Sequence, residues 1–154
     1  MFVDPPFFDA PIEDREEMLV LLSDALKTHA QISFAYAFGS FLSDRPFHDI
    51  DLGVYFTSSL DASASLKAAF NLAGDLETTL RKAGYRAAPV DVRPLNHAPL
   101  SFRYHVFTGR LLISRNESLR VHLVAQTYSE YLDLLPLRHQ ALKEVMQAWA
   151  QLQT

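Results

Sequence analysis

The sequence contains no cysteine among its 154 residues. This excludes a disulfide scaffold, a thiolate zinc site and a cysteine nucleophile, and it fits a reducing compartment. There is no run of lysine and arginine either, and the formal net charge is −4. A protein that grips duplex nucleic acid carries a basic face, so direct DNA binding is not expected. The one local concentration of positive charge is Arg103, Arg110, Arg115 and Arg120. No apolar stretch approaches the ~18 residues that a membrane-spanning helix needs. The opening Met-Phe-Val-Asp-Pro-Pro has no basic leader and no apolar stretch behind it, so no signal peptide and a cytoplasmic location are expected. His29, His48, His97, His105, His122 and His139 lack metal-ligand spacing and form no Ser/His/Asp set, so all are read as structural. Internal repeats and low-complexity tracts are missing too.

What remains describes a globule. Hydrophobic residues make up 49% and charged residues 21%, and a chain of this length buries roughly 70% of the surface its unfolded form exposes. One domain over residues 1–154 is expected, with a catalytic core over about 12–115 and a C-terminal helical segment over about 116–154. Pro5, Pro6 and Pro11 mark an extended lead-in over the first ten residues. From Ile12 to His29, Met18, Leu19, Leu21, Leu22 and Leu26 recur at helical spacing. Glu13, Asp14, Glu16 and Glu17 occupy the first turns, where the helix dipole favours anions. Ile32 to Phe38 is a short aromatic-rich run stopped by Gly39, which predicts a buried strand.

The next strand is predicted over His48 to Phe56. Ile50, Leu52 and Val54 lie on one face, and Asp49, Asp51, Gly53 and Tyr55 on the other. A helix is predicted over Ala64 to Ala83, with Leu66, Phe70, Leu72, Ala73, Leu76 and Leu80 as its apolar stripe and Gly84 at its C-terminal cap. Phe34, Tyr36, Phe38 and Phe70 are assigned to the core. Pro89 to Pro94 reads as a strand with Val90 and Val92 inward and Asp91 and Arg93 outward. A short helix over Pro99 to Thr108 carries Arg103 on a solvated face, and Arg110 to Ser114 forms a short strand. Asn116 then caps a long helix that is interrupted or kinked at Pro136. Its stripe of Leu119, Leu123, Tyr128, Tyr131, Leu132 and Leu135 serves partly as core, and its excess offers a surface to a partner helix. The order α-β-β-α-β-α-β-α predicts an α/β (α+β) sandwich, a small mixed sheet flanked by helices.

The chemistry gathers at the strand ends. Glycine at Gly39 permits a tight turn and close approach of backbone to a ligand, and the Ser40 hydroxyl adds a donor to an anion-binding nest. Asp49 and Asp51 stand two apart on one strand, so their carboxylates project from one face. Asp91 lies on the polar side of another strand, with Arg93 two residues on and on the same face. Alone, an Asp-x-Asp pair is usually a solvated edge, Asp91 a surface residue and Ser40 a turn or capping residue. Together they form a set of carboxylates that repel one another unless a cation sits among them. Mg²⁺ suits such a set, because it takes hard oxygen ligands and leaves positions for substrate phosphates. Two such ions, about 3.5–4 Å apart, stabilise the entering and leaving oxygens of a phosphoryl displacement.

The run Phe38-Gly39-Ser40 through His48-Asp49-Ile50-Asp51-Leu52 resembles the Gly-Ser…Asp-x-Asp signature of the polymerase-β nucleotidyltransferase superfamily. More narrowly it resembles the minimal nucleotidyltransferases (MNT proteins), antitoxins encoded beside HEPN ribonuclease toxins. The likeness continues through Val90-Asp91-Val92-Arg93, the place of the third aspartate, and through Gly109-Arg110-Leu111-Leu112. It implies a nucleotidyltransferase fold, ATP as substrate with its phosphates at Gly39-Ser40, and Mg²⁺ at Asp49, Asp51 and Asp91. Asp91 would also serve as base, and Arg93 would either bind phosphate or neutralise that carboxylate. By the same resemblance AMP passes to a tyrosine of a HEPN partner and silences it. Contact-only inhibition and transfer to a small-molecule hydroxyl are the alternatives. Two departures stand out: the loop between Ser40 and Asp49 has only eight residues, shorter than is usual, and Arg93 takes a place where an uncharged residue is commoner.

Overall fold

The computed structural model describes residues 6–57, 60–85 and 88–153; the first five residues of the expected lead-in lie outside the described part. The elements follow the predicted order. They are α1 (Ile12–Lys27), β1 (Ile32–Phe38), β2 (Ile50–Phe56), α2 (Ala62–Lys82), β3 (Val90–Pro94), α3 (Leu100–Phe107), β4 (Arg110–Ser114) and α4 (Glu117–Leu152). The strands form one mixed sheet in the order β3-β2-β1-β4. β1 is antiparallel to both β2 and β4, whereas β2 and β3 are parallel, joined through α2.

Every residue of β1 is buried, because helices cover both faces of this central strand. Ala35 and Ala37 face α1 and α2, beside Leu22, Leu26, Leu52, Leu76 and Leu80. Phe34, Tyr36 and Phe38 face the other way, against Val106 and Phe107 of α3 and the partly buried Leu119, Leu123 and Tyr128 of α4. Small residues on one face admit two close helices, and aromatic rings on the other fill the wider gap. Each fully buried leucine, isoleucine or phenylalanine contributes roughly 1.5–3 kcal/mol. The alternation in β2 is as predicted, yet its second face is not solvated throughout. Gly53 lies under Val106 and Leu95, and Tyr55 stacks on Phe34 with ring centroids 5.0 Å apart.

The start signal at Asn116 and the stop signal at Gly84 act as expected, and Asp61 adds a cap that was not predicted. Asp61 caps α2 by accepting the Ala64 N–H, and Asn116 caps α4 by accepting that of Leu119. After α2, Gly84 takes φ +91°. Its N–H donates to Arg81 and that of Tyr85 to Leu80, the paired bonds of a Schellman stop.

Four expectations need correction. The inward stripe of α2 is Ser65, Ala69, Leu72, Leu76 and Leu80, so Leu66 is 64% and Phe70 81% exposed, and Phe70 is not core. Ser65 and Ala69 are small enough to let the helix approach the sheet, and apolarity alone set the stripe one residue out of phase. Arg103 is not on a solvated face: its side chain is 21% exposed, 3.8 Å from Glu130 of α4. Of the two outcomes expected at Pro136, interruption does not occur: α4 runs through it as one helix, and the proline costs it one donor. The four arginines form no patch, since Arg110 pairs with Glu16, Arg120 with Glu117 and Tyr36, and Arg115 donates to the carbonyls of Lys27, His29 and Ile32. Among the described residues no helix is long and apolar enough to cross a membrane.

Candidate active site

Topology brings the acidic residues together. Because β2 and β3 run parallel, the entry ends of both lie at one edge of the sheet, and the antiparallel β1 delivers its exit end, Phe38-Gly39, to the same edge. In register, Asp51 is opposite Asp91 on one side and Phe38 on the other. Residues paired across neighbouring strands project from one face, and Asp49, two residues before Asp51, shares it. The result is a cluster in which one carboxylate oxygen from each of Asp49, Asp51 and Asp91 lies within 4.8 Å of the other two, all three side chains being half-buried.

Electrostatics record the crowding. Partial burial, then the charge of Asp49, then that of Asp91 push the Asp51 carboxyl up to about 6, against the opposing pull of Arg93 and His105. Both causes disfavour a carboxylate and both are relieved by a bound cation. Arg93 donates from Nε to Asp91 Oδ2 at 2.9 Å and lies over the Phe102 ring, 5.7 Å from its centroid. Of the two roles open to Arg93 in the sequence, the structure therefore contains the neutralising contact.

Gly39 explains itself here. It sits at φ +84°, and a Cβ on it would lie 2.6 Å from Asp51 Oδ2. Only glycine lets the chain turn this close to the carboxylate. A short 3₁₀ turn, Ser40 to Leu42, follows, in which Leu42 N–H donates to Gly39 and Ser43 N–H to Ser40. Ser40 is exposed beside the cluster. Thus Asp49, Asp51, Asp91, Arg93 and Gly39-Ser40, read separately from three segments, occupy one sheet edge.

Two nearby residues escaped the sequence reading. His105, set aside as structural, is exposed on α3, packs edge-on to Phe38 at 5.4 Å, and contributes to the field at Asp51. Its position one turn after Phe102, which packs edge-on to the same Phe38 ring, was the available signal. Arg15 is the other, buried beneath the loop that joins Ser40 to Asp49; nothing in its local sequence sets it apart from a surface arginine. His48, by contrast, is packed against the N-terminal segment, its ring centroid 3.8 Å from that of Phe7.

Comparison with known proteins agrees with this geometry. Residues 21–118 match the family model described as "Polymerase beta, Nucleotidyltransferase". None of the curated proteins matches the chain. Among solved structures, a chain of a complex between a tri-AMPylated HEPN toxin and MNT antitoxin from Shewanella oneidensis is 24% identical, with TM-score 0.55, covering 87% of this chain and 97% of that one. A toxin–antitoxin complex with AMP-PNP gives 24% identity and TM-score 0.59, covering 86% and 98%. The MntA–HepT toxin–antitoxin gives 23% identity and TM-score 0.56, covering 88% and 99%. At such identities the likeness establishes the fold.

Proposed function

This chain belongs to the polymerase beta nucleotidyltransferase family, and from that premise we propose that it is an MNT-type antitoxin that transfers AMP from ATP to a tyrosine hydroxyl of a cognate HEPN ribonuclease toxin in the cytoplasm. In this reading residues 1–154 act as one nucleotidyltransferase unit. The observation that carries the proposal is the meeting of Asp49, Asp51 and Asp91 within 4.8 Å beside the Gly39-Ser40 turn.

The donor set fits Mg²⁺. It offers hard carboxylate oxygens, half-buried, whose mutual repulsion already perturbs Asp51. Asp49, Asp51 and Asp91 would hold the metal (one ion or a pair), which when bound would neutralise the charge developing on the phosphate oxygens. The chain's own groups do the rest. The backbone of the Gly39-Ser40 turn and the Ser40 hydroxyl hold the triphosphate, and Arg93, anchored on Asp91, adds a positive charge at its flank. The phenolic oxygen of the acceptor attacks the α-phosphorus and the bond to pyrophosphate breaks. The phenolic proton passes to Asp91, and the products are the tyrosyl-AMP ester and pyrophosphate.

Two further observations support a protein acceptor. The far half of α4 exposes Leu142, Val145, Met146 and Trp149, whose i, i+3, i+4, i+7 spacing puts them on one helix face, the kind of apolar stripe that docks a partner. Among the similar solved structures, one is a tri-AMPylated HEPN toxin in complex with MNT antitoxin and another the toxin–antitoxin MntA–HepT. The test incubates the protein with Mg²⁺, labelled ATP and a candidate HEPN partner. A mass gain by AMP units on the partner is expected, and Asp49→Ala with Asp51→Ala should abolish it. If that double variant still neutralises the toxin fully, inhibition by contact alone replaces the catalytic reading.

A further inference from the structure

Arg15 stands in the second turn of α1, is 3% exposed, and reaches into the loop between the Gly39-Ser40 turn and Asp49. Its Nε donates to the Ala10 carbonyl at 2.9 Å. Nη1 donates to the carbonyls of Phe41 at 3.3 Å and Ser43 at 2.5 Å, and Nη2 to that of Arg45 at 2.9 Å and to Asp9 Oδ1 at 3.3 Å. A guanidinium has five N–H donors, matching these five contacts. Phe47 and Phe41 flank its plane, with ring centroids 4.7 and 5.8 Å away. Among the described residues, the only carboxylate it pairs with, Asp9, is itself 75% exposed.

A buried cation matched mainly by neutral carbonyls is an expensive way to hold a fold together, and an apolar side chain of like volume usually does as well or better. What an arginine adds is geometry. Its rigid fork fixes several acceptors at once, and three of the four carbonyls it holds, those of Phe41, Ser43 and Arg45, belong to one short loop. The N-terminal segment closes over the same loop through the two-way backbone bridge between Phe8 and Phe47. Asp51 and Asp91 need no such support, since β2 and β3 hold them, and Asp49 directly precedes β2, whose first residue, Ile50, donates its N–H to the Pro89 carbonyl. The Gly39-Ser40 turn leaves the end of β1, and its far side runs straight into this loop.

We propose that Arg15 is a positioning residue that sets the shape of the phosphate-binding turn; the proposal rests on the nucleotidyltransferase reading of that turn. Fixing the loop from beneath holds the Ser40 hydroxyl and the turn's amides in place for the triphosphate before it arrives, and preorganisation of this kind appears as affinity. Loss of the fork then weakens ATP binding and leaves the metal ligands and the chemical step nearly intact.

The experiment compares wild type, Arg15→Met and Arg15→Lys, with Ile32→Ala as a destabilised control at the opposite end of β1. For each, calorimetry gives the affinity for Mn²⁺ alone and for AMP-PNP in Mg²⁺, melting gives stability, and AMP transfer at saturating ATP gives the rate. About a tenfold loss of AMP-PNP affinity is expected in Arg15→Met and a smaller one in Arg15→Lys. Mn²⁺ affinity should stay within about twofold and the saturated rate within about threefold, and Ile32→Ala should bind AMP-PNP normally. The proposal falls if folded Arg15→Met binds AMP-PNP within twofold of wild type, or if Ile32→Ala loses affinity in step with its stability. Where the methionine variant does not fold, the lysine variant decides by the same titration. If neither folds, Arg15 is a residue of the fold and not of the turn, and the proposal also fails. A wild-type protein that binds no AMP-PNP refutes instead the reading on which the proposal rests.

Discussion

Replacing Gly39 with alanine separates what the fold needs from what the site needs. At φ +84° and ψ −163° an alanine sits in a region nearly reserved for glycine and carries a penalty of about 1–3 kcal/mol, reduced by some tenths because alanine also stiffens the unfolded chain. Gly84 supplies the matching control. It takes φ +91°, but a Cβ there would meet nothing within 4 Å. Gly84→Ala should therefore lose about 1 kcal/mol, or roughly 2–4 °C of melting temperature, and Gly39→Ala that much or up to about 2 kcal/mol more. They differ in what the new methyl meets. At residue 39 it lies 2.6 Å from Asp51 Oδ2, whereas Asp51 Cγ and Cβ stand at 3.5 and 3.6 Å, ordinary contact distances. The strain thus falls on the carboxylate oxygen, which must swing away by about 0.8 Å. Displacement of a reacting group by about 1 Å costs on the order of 10²-fold in rate, close to 2.7 kcal/mol of barrier. Initial rates of AMP transfer at saturating ATP, paired with melting curves, test this. Gly84→Ala should match wild type in rate and Gly39→Ala should fall about a hundredfold. Equal rates in the two variants would refute the argument that Gly39 is there for Asp51.

Other expected outcomes follow from single contacts. With metal removed by chelation, burial and then the charges of Asp49 and Asp91 hold the Asp51 carboxyl up at about 6, above its ordinary 3.8. A carboxyl raised on folding stabilises fully below its unfolded value and loses that contribution as pH climbs past its folded one. After allowance for its half-exposed position this amounts to about 1 kcal/mol. Asp51→Asn should accordingly raise the melting temperature of the chelated protein at pH 8 and not at pH 4; an equal gain at both would contradict the assigned causes. Asn96 extends the sheet edge beyond β3, its Oδ1 accepting the Phe56 N–H at 2.8 Å and its Nδ2 donating to the Phe56 carbonyl at 2.9 Å. Asn96→Asp places an acceptor against that carbonyl and should cost about 1–3 kcal/mol, read as a lower melting temperature with AMP transfer at 25 °C changed no more than a few-fold.

Much of the fold was legible because it is written in local signals. Ile32 to Phe38 ends at Gly39, Asn116 caps α4 and Gly84 stops α2, each where a single residue's backbone preference decides the matter. The phase of α2 was not legible. Leu66 and Phe70 are more apolar than Ser65 and Ala69, yet the sheet takes the smaller pair inward, because the approach of a helix to β3 depends on volume as well as hydropathy. Arg15 and Arg103 read as surface cations because burial depends on what covers a side chain, and the covering segments (the loop at 41–45 for one, α4 for the other) lie 26 or more residues away.

The sequence by itself determined which residues could carry the chemistry: a glycine-serine turn, an aspartate pair two apart, and a third aspartate on an apolar strand. Their alternation with Ile50, Leu52, Val90 and Val92 placed the carboxylates opposite the buried face of each strand, since side chains of a strand alternate with period two. Only the tertiary structure decided that β2 and β3 pair in parallel with Asp51 opposite Asp91, and that β1 brings Gly39 against the same oxygen. Register between strands forty residues apart is chosen by the packing of both faces at once, a sum over distant contacts that no local stretch of chain contains.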